Sequence, residues 1–321
     1  MTVVADILPG FSAETIVLPN DYDGAVKATL VFKKATVAST KAVLYIHGYC
    51  DYFFQTELAK FYNDKGFNFY ALDLRKYGRS LLPGNKFNFC KSLSEYYVEI
   101  DKAISIIRTN HGNRFLLLNG HSTGGLLSAL YTNDRLSQNR INALFLNSPF
   151  LDFNDNWFLE SFLKTVVTGS GLLTPYLPVP APGLPLYGES ISAAYNRGGD
   201  QNFSELWKPA STWNPPVLAG WIRAIRLGHL RLQNGLKIPA PTLLMRSDKS
   251  GGGKTWNDSY NNSDCVLDVS EISKFGLCIN KGFSSAYKEV VIKDGLHDLT
   301  CSRATPRALF YSELGKWLTK F

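Results

Sequence analysis

A run of four apolar residues, Phe115-Leu116-Leu117-Leu118, leads into Gly120-His121-Ser122-Thr123-Gly124 and then into a stretch of helical character. Few junctions restrict a fold more. A strand that becomes a helix around one residue holds that residue's backbone in a strained and crowded conformation, and glycines on either side relieve the crowding. Gly125, Ser128 and Ala129 are small enough to let the outgoing helix lie close to a sheet. Strand, Gly-x-Ser-x-Gly and helix together read as a nucleophile elbow, which raises one hydroxyl above the end of a sheet. The competing reading is a turn whose serine merely caps the helix that starts there.

The surrounding chain supplies a sheet for such an elbow. Ala42 to Ile46 and Phe67 to Leu72 are buried-strand candidates flanking a helix-like segment, Thr56 to Asp64. Ser94 to Arg108 places Tyr97, Ile100, Ile104 and Ile107 at helical spacing, and Ala143 to Asn147 resumes the strand pattern. This alternation predicts an α/β fold with a mostly parallel central sheet flanked by helices. The rhythm breaks after Pro149, where a long aromatic stretch carries two Pro-rich segments, and returns at Thr242 to Arg246 and Glu289 to Ile292. A structureless loop of that length is improbable inside a compact domain, so the expectation is an inserted helical and Pro-rich cap over 151–235. Trp157 to Val167 and Gly220 to Leu230 are its candidate helices. The core would then comprise 1–150 and 236–321, closed by a helix from Pro306 with Leu309, Leu314, Trp317 and Leu318 on its apolar side.

Composition removes several alternatives. The 321 residues carry a net charge of +7, but the Lys and Arg are scattered without recurring aromatics, which argues against nucleic-acid binding. No segment reaches the length of apolar chain that spans a bilayer, no basic leader precedes an apolar run, and no stable membrane anchor is expected. Five cysteines lack paired C-x-x-C spacing and read as free thiols in a reducing, cytoplasmic setting. Ser250-Gly251-Gly252-Gly253-Lys254-Thr255 ends like a phosphate loop, but Asp248 stands where its first glycine belongs, so the stretch is expected to be a flexible excursion. The histidines show no metal-ligand spacing, and neither a metal nor a cofactor is called for.

A serine hydroxyl attacks poorly at neutral pH unless a base takes its proton and a third group orients that base. His297, in Asp294-Gly295-Leu296-His297-Asp298 just after the last strand candidate, is the expected base for Ser122. His121 would pack beside the site, His47 would shape backbone at the end of a strand, His111 reads as a turn residue and His229 as part of the cap. The orienting acid should lie between serine and histidine in the chain, which leaves Asp264, Asp268 and Asp248. Asp264 opens Asp264-Cys265-Val266-Leu267-Asp268 before a plausible helix and is preferred; Asp248 directly follows a strand.

With Ile46-His47-Gly48, Asp73-Leu74-Arg75-Lys76-Tyr77-Gly78-Arg79-Ser80 and Gly120 to Gly124 in place, the chain resembles the serine hydrolases of the α/β-hydrolase superfamily. The likeness is greatest to their lysophospholipase and monoacylglycerol-lipase-like branch, the S33 serine aminopeptidase type, and extends over nearly the whole chain. It implies an α/β-hydrolase fold, Ser122 as nucleophile, His297 as base, and an oxyanion hole formed by the backbone N–H groups of Tyr49 and Thr123. The acid loop matches the family's D-x-x-V-P pattern only loosely, after an insertion over Lys249 to Ser263. The implied substrate is a small-molecule or lipid-like ester, cleaved through an acyl-enzyme. Amide or peptide hydrolysis, other chemistry on the same scaffold such as cofactor-free haloperoxidase or carbon–carbon bond cleavage, and a non-catalytic ligand-binding receptor are the alternatives, and the oligomeric state is left open.

Overall fold

The computed structural model describes residues 2–153, 169, 171–179, 184–191 and 216–321. The strands are β1 (Val3–Ala5), β2 (Ser12–Val17), β3 (Lys27–Lys33), β4 (Lys41–Ile46), β5 (Asn68–Asp73), β6 (Phe115–His121), β7 (Ala143–Asn147), β8 (Pro178–Val179), β9 (Val217–Leu218), β10 (Thr242–Ser247) and β11 (Tyr287–Ile292). Nine of them form one sheet in the order β1-β2-β3-β5-β4-β6-β7-β10-β11, and β8 pairs with β9 as a separate antiparallel ribbon. From β5 to β11 every pairing is parallel. The expected α/β-hydrolase fold is therefore present. Three antiparallel strands, β1 to β3, extend it at the amino-terminal side, an addition that the strand–helix rhythm does not announce.

Alternation along the central strands divides the core into two layers. On β4, Val43 and Tyr45 face one side with Phe69, Leu117, Phe145, Leu243 and Met245, while Leu44 and Ile46 face the other with Leu72, Leu116 and Leu118. The first layer is covered by helix α1 (Thr56–Asp64), through Leu58 and Tyr62, and by the carboxyl-terminal helix (Ala304–Leu318), through Phe310, Leu314 and Trp317. The second is covered by α2 (Tyr97–Ser105) and α3 (Thr123–Asp134). Burying each large aliphatic side chain in these layers contributes about 1.5–3 kcal/mol relative to leaving it in water. Helix α4 (Leu184–Ile191) places Tyr187 and Ile191 against Leu296 and Cys301. Helix α5 (Ala219–Gln233) rests on α3, where Gly228 has Leu126 and Leu130 as close neighbours. Helix α6 (Val269–Gly276) precedes β11, and the carboxyl-terminal helix is α7.

Several local expectations need correcting. On α7 it is Phe310, not Leu309, that turns inward: Leu309 is 40% exposed and Phe310 is fully buried. One residue is 100° of helical rotation, so reading the apolar stripe one place early puts the wrong side chain in the core. The Ser250 to Thr255 segment is not a free excursion. Gly251 N–H donates to the carbonyl of Asp264 at 2.8 Å, and Gly252 N–H donates to Ser259 Oγ at 2.8 Å. The candidate helix Trp157 to Val167 lies outside the described residues, whereas the one at Gly220 to Leu230 lies within α5. No disulfide joins any two of the five cysteines, all of which lie among the described residues. Among the described residues no helix is long and apolar enough to cross a membrane.

Candidate active site

Parallel strands deliver their carboxyl ends to one edge of the sheet, where Ser122 and the loops carrying Tyr49 and His297 follow β6, β4 and β11. Ser122 follows the last residue of β6 and has φ 53° and ψ −120°, a left-handed backbone that a non-glycine residue adopts only under constraint. The flanking glycines supply the room. A Cβ on Gly124 would stand 2.3 Å from the carbonyl oxygens of both Ile46 and His47, and one on Gly120 would stand 2.4 Å from the carbonyl of Gly124. Ser122 occupies the N-cap position of α3, yet its side chain makes no capping hydrogen bond. The bland reading of this serine as a helix cap is thereby removed. Its backbone N–H donates to Asn147 O at 3.0 Å, and its carbonyl accepts from Phe150 N–H at 3.0 Å, holding the turn from both sides.

His297 lies on the loop after β11 and is 3% exposed. Its Nδ1 is 2.9 Å from Oδ2 of Asp264, which is fully buried. The other carboxylate oxygen of Asp264 accepts the backbone N–H groups of Val266 at 2.9 Å and Leu267 at 2.8 Å. A carboxylate can only accept, so Nδ1 carries the proton and Nε2 is left with a lone pair. The His297 ring is 4.9 Å, centroid to centroid, from His121, the residue immediately before Ser122.

The other two acids are engaged elsewhere. Asp268 is the N-cap of α6 and accepts from Ser270 N–H at 2.8 Å, while the exposed Asp248 accepts from Asp294 N–H at 2.8 Å. Asp264 alone among the three is brought to His297. Sequence order left all three open because only the folded loop decides which carboxylate turns inward.

The loop after β4 passes directly beside the elbow: a Cβ on Gly48 would stand 3.1 Å from Ser122 Cβ. Tyr49 N–H follows it, and Thr123 N–H opens α3, where first-turn amides have no acceptor within the helix. His47 braces this loop, since its Nδ1 donates to Gly48 O at 2.8 Å and its Nε2 accepts Leu74 N–H at 3.1 Å. Both ring nitrogens are thus committed to backbone. The Asp73 to Ser80 turn supports the same region. Asp73 accepts Phe53 N–H and the Arg79 guanidinium, each at 2.9 Å, and Ser80 Oγ donates to Asp73 O at 2.7 Å. Burial drives the Tyr49 phenol well above its usual pKa, and its ring packs 4.1 Å from Trp221 of α5.

Around these residues lies a buried polar cluster that motif reading did not find. Asp298 is 4% exposed and accepts from Asn147 Nδ2 at 2.8 Å, Thr300 Oγ1 at 2.7 Å, Thr300 N–H at 3.0 Å and Gln55 Nε2 at 3.2 Å. Burial by itself would raise its pKa, but His121 and these donors outweigh burial and hold the carboxyl below its ordinary range. For His121, burial is the largest influence and pulls its pKa down, with Asp298 opposing and His297 reinforcing the shift. Thr300, two residues on, is a local partner of Asp298, but Gln55 and Asn147 come from distant segments.

The profile of the family described as "Serine aminopeptidase, S33" matches residues 38–248, well over half the chain. No curated protein sequence matches the chain significantly. Among solved structures, a soluble variant of monoglyceride lipase from Saccharomyces cerevisiae, in complex with a substrate analog, superposes with a TM-score of 0.70 at 15% identity, covering 95% of this chain and 94% of its own. A monoacylglycerol lipase from Paleococcus ferrophilus gives a TM-score of 0.65 at 16% identity, covering 92% of this chain and 98% of its own. At these identities the superpositions establish the fold.

Proposed function

The chain belongs to the S33 serine aminopeptidase family of α/β-hydrolases, and we propose that within it the protein is a serine esterase acting on carboxylic esters with apolar acyl groups. The observation that carries this reading is the 2.9 Å His297–Asp264 pair at the same sheet edge as a strained, non-capping Ser122.

In the proposed reaction the Ser122 hydroxyl attacks the ester carbonyl carbon while His297 Nε2 takes its proton. Asp264 keeps the imidazole in the tautomer that presents Nε2 and stabilises the imidazolium as it forms. The carbonyl oxygen becomes negative, and the N–H groups of Tyr49 and Thr123 are the donors for it; one such donor is worth about 3 kcal/mol of barrier. The carbon–oxygen bond to the alcohol then breaks, the alcohol leaves with the proton from His297, and the acyl group remains on Ser122. Water attacks the acyl carbon as it gives a proton to His297; the bond from that carbon to Ser122 Oγ then breaks while His297 returns the proton to Ser122, and the carboxylic acid departs.

Aromatic rings near the site favour an apolar acyl group: Tyr49 follows Gly48 beside the elbow, Trp221 is tilted against Tyr49 at 4.1 Å, and Tyr187 is edge-on to His297 at 5.6 Å. The related folds of a monoglyceride lipase and a monoacylglycerol lipase point the same way. An inserted cap over 151–235 remains part of the proposal, with α4 and α5 as its described helices. Hydrolysis of p-nitrophenyl esters from acetyl to long acyl chains tests substrate choice. Medium or long chains should turn over faster than acetyl; a flat profile, or cleavage of aminoacyl amides alone, would overturn it.

A further inference from the structure

Ser122 and His297 come from strands on either side of β7 and β10, and their relative position depends on whatever ties the elbow to the loop carrying the base. That tie is traceable bond by bond. The backbone carbonyl of Asn147, at the end of β7, accepts both Ser122 N–H at 3.0 Å and His121 Nδ1–H at 3.1 Å. The side chain of the same Asn147 reaches the other way, donating from Nδ2 to Asp298 Oδ1 at 2.8 Å and accepting Leu299 N–H on Oδ1 at 3.3 Å. Asp298 is covalently next to His297. One asparagine therefore stands between the backbone of the serine and the backbone of the histidine.

We propose that Asp298, held by Asn147, is a positioning residue that fixes His297 relative to Ser122. The inference rests on the reading of those two residues as base and nucleophile. The Asp298 carboxylate makes no hydrogen bond to Ser122 or His297. Its carboxylate faces five donors: Asn147, two groups of Thr300, Gln55 and, at 3.5 Å, Cys301 Sγ. An acceptor-only group is the only small side chain that satisfies them all. Its backbone N–H donates to Tyr187 Oη of α4 at 3.0 Å, so the residue after the base is held both by the core and by the helix above it. A loop restrained on both sides presents one imidazole position. Displacing a reacting group by about 1 Å can cost about 100-fold in rate.

A carboxylate that only stabilised the Leu299–Cys301 turn would affect folding and leave turnover per active site unchanged. Asp298→Asn separates the two roles, because it keeps the shape and places an N–H₂ against donors. Active-site-titrated kcat on a p-nitrophenyl acyl ester should fall about 10- to 100-fold with KM within about 3-fold. The downfield proton NMR signal of His297 Nδ1–H should shift or broaden in the same variant. Should Asp298→Asn not fold, Thr300→Val removes one 2.7 Å donor while keeping the Thr300 N–H, and a 3- to 10-fold loss of kcat is expected. An unchanged titrated kcat together with an unchanged Nδ1 signal would overturn the proposal, as would the lack of that signal in the native protein. The NMR comparison needs no substrate, so a native protein inactive on every ester would sink the esterase reading while the positioning role was still decided.

Discussion

His297 Nδ1 and Asp264 Oδ2 meet at 2.9 Å across 33 residues of chain, and two backbone amides aim the carboxylate by binding its other oxygen. Asp264→Asn should lower kcat about 10⁴-fold, because an amide in that position favours the wrong imidazole tautomer. Asp268→Ala should leave kcat unchanged and cost about 1 kcal/mol of stability through loss of the α6 N-cap. Kinetics paired with urea unfolding checks both, and the reverse ranking would reassign the acid.

Gly124 leaves no space for a methyl group, since the carbonyls of Ile46 and His47 would lie 2.3 Å from it. Gly124→Ala should force α3 away from β4 and destabilise the protein by about 1–3 kcal/mol. Activity should fall with it, because the same movement displaces Ser122 and Thr123. Thermal unfolding and ester turnover within twofold of native would show that the elbow tolerates the shift.

Burial lowers the pKa of His121, so the folded protein resists a proton that the unfolded chain accepts near pH 6.5. The associated stability is complete above about 6.5 and is lost as pH falls toward the lower folded value. Tm should therefore decline from pH 6.5 to 5, and His121→Gln should make that decline shallower. His111, also lowered by burial and by Lys34, should leave part of the slope in place. Asp298 is depressed too, but its contribution is lost only below about pH 4, outside this window. An identical slope in His121→Gln would contradict the assignment.

Arg75 and Glu99 form a buried ion pair, Arg75 Nε lying 2.9 Å from Glu99 Oε1 beneath the turn that follows β5. Removing one partner strands the other charge. Glu99→Ala should cost about 3–5 kcal/mol, and replacing both residues by apolar ones of similar size should recover most of that. Urea denaturation of the single and double variants measures the difference.

The residues proposed as nucleophile and base stand out in the adjacent sequence. Ser122 announces itself through strand, glycines and helix, and His297 through its place after the last strand. The central parallel strands were equally plain as apolar runs bounded by helical stretches. Asp264 could be reduced only to one of three, because direction within an irregular loop is set by bonds such as those to Val266 and Leu267. The antiparallel β1–β3 extension carries no chemical motif and no intervening helix to mark it. Asp298 was beyond local reading for a different reason: Gln55 and Asn147, two of its partners, lie 243 and 151 residues away in the chain. Leu309 failed by helical phase alone.

The central claim is that Ser122 is a nucleophile activated by His297, and covalent labelling with a serine-directed alkyl phosphonate, read by intact mass and peptide mapping, tests it most directly. The account predicts one adduct per chain, located on Ser122, absent in Ser122→Ala and formed far more slowly in His297→Ala. An adduct on another residue, or none in a folded native protein, would contradict it.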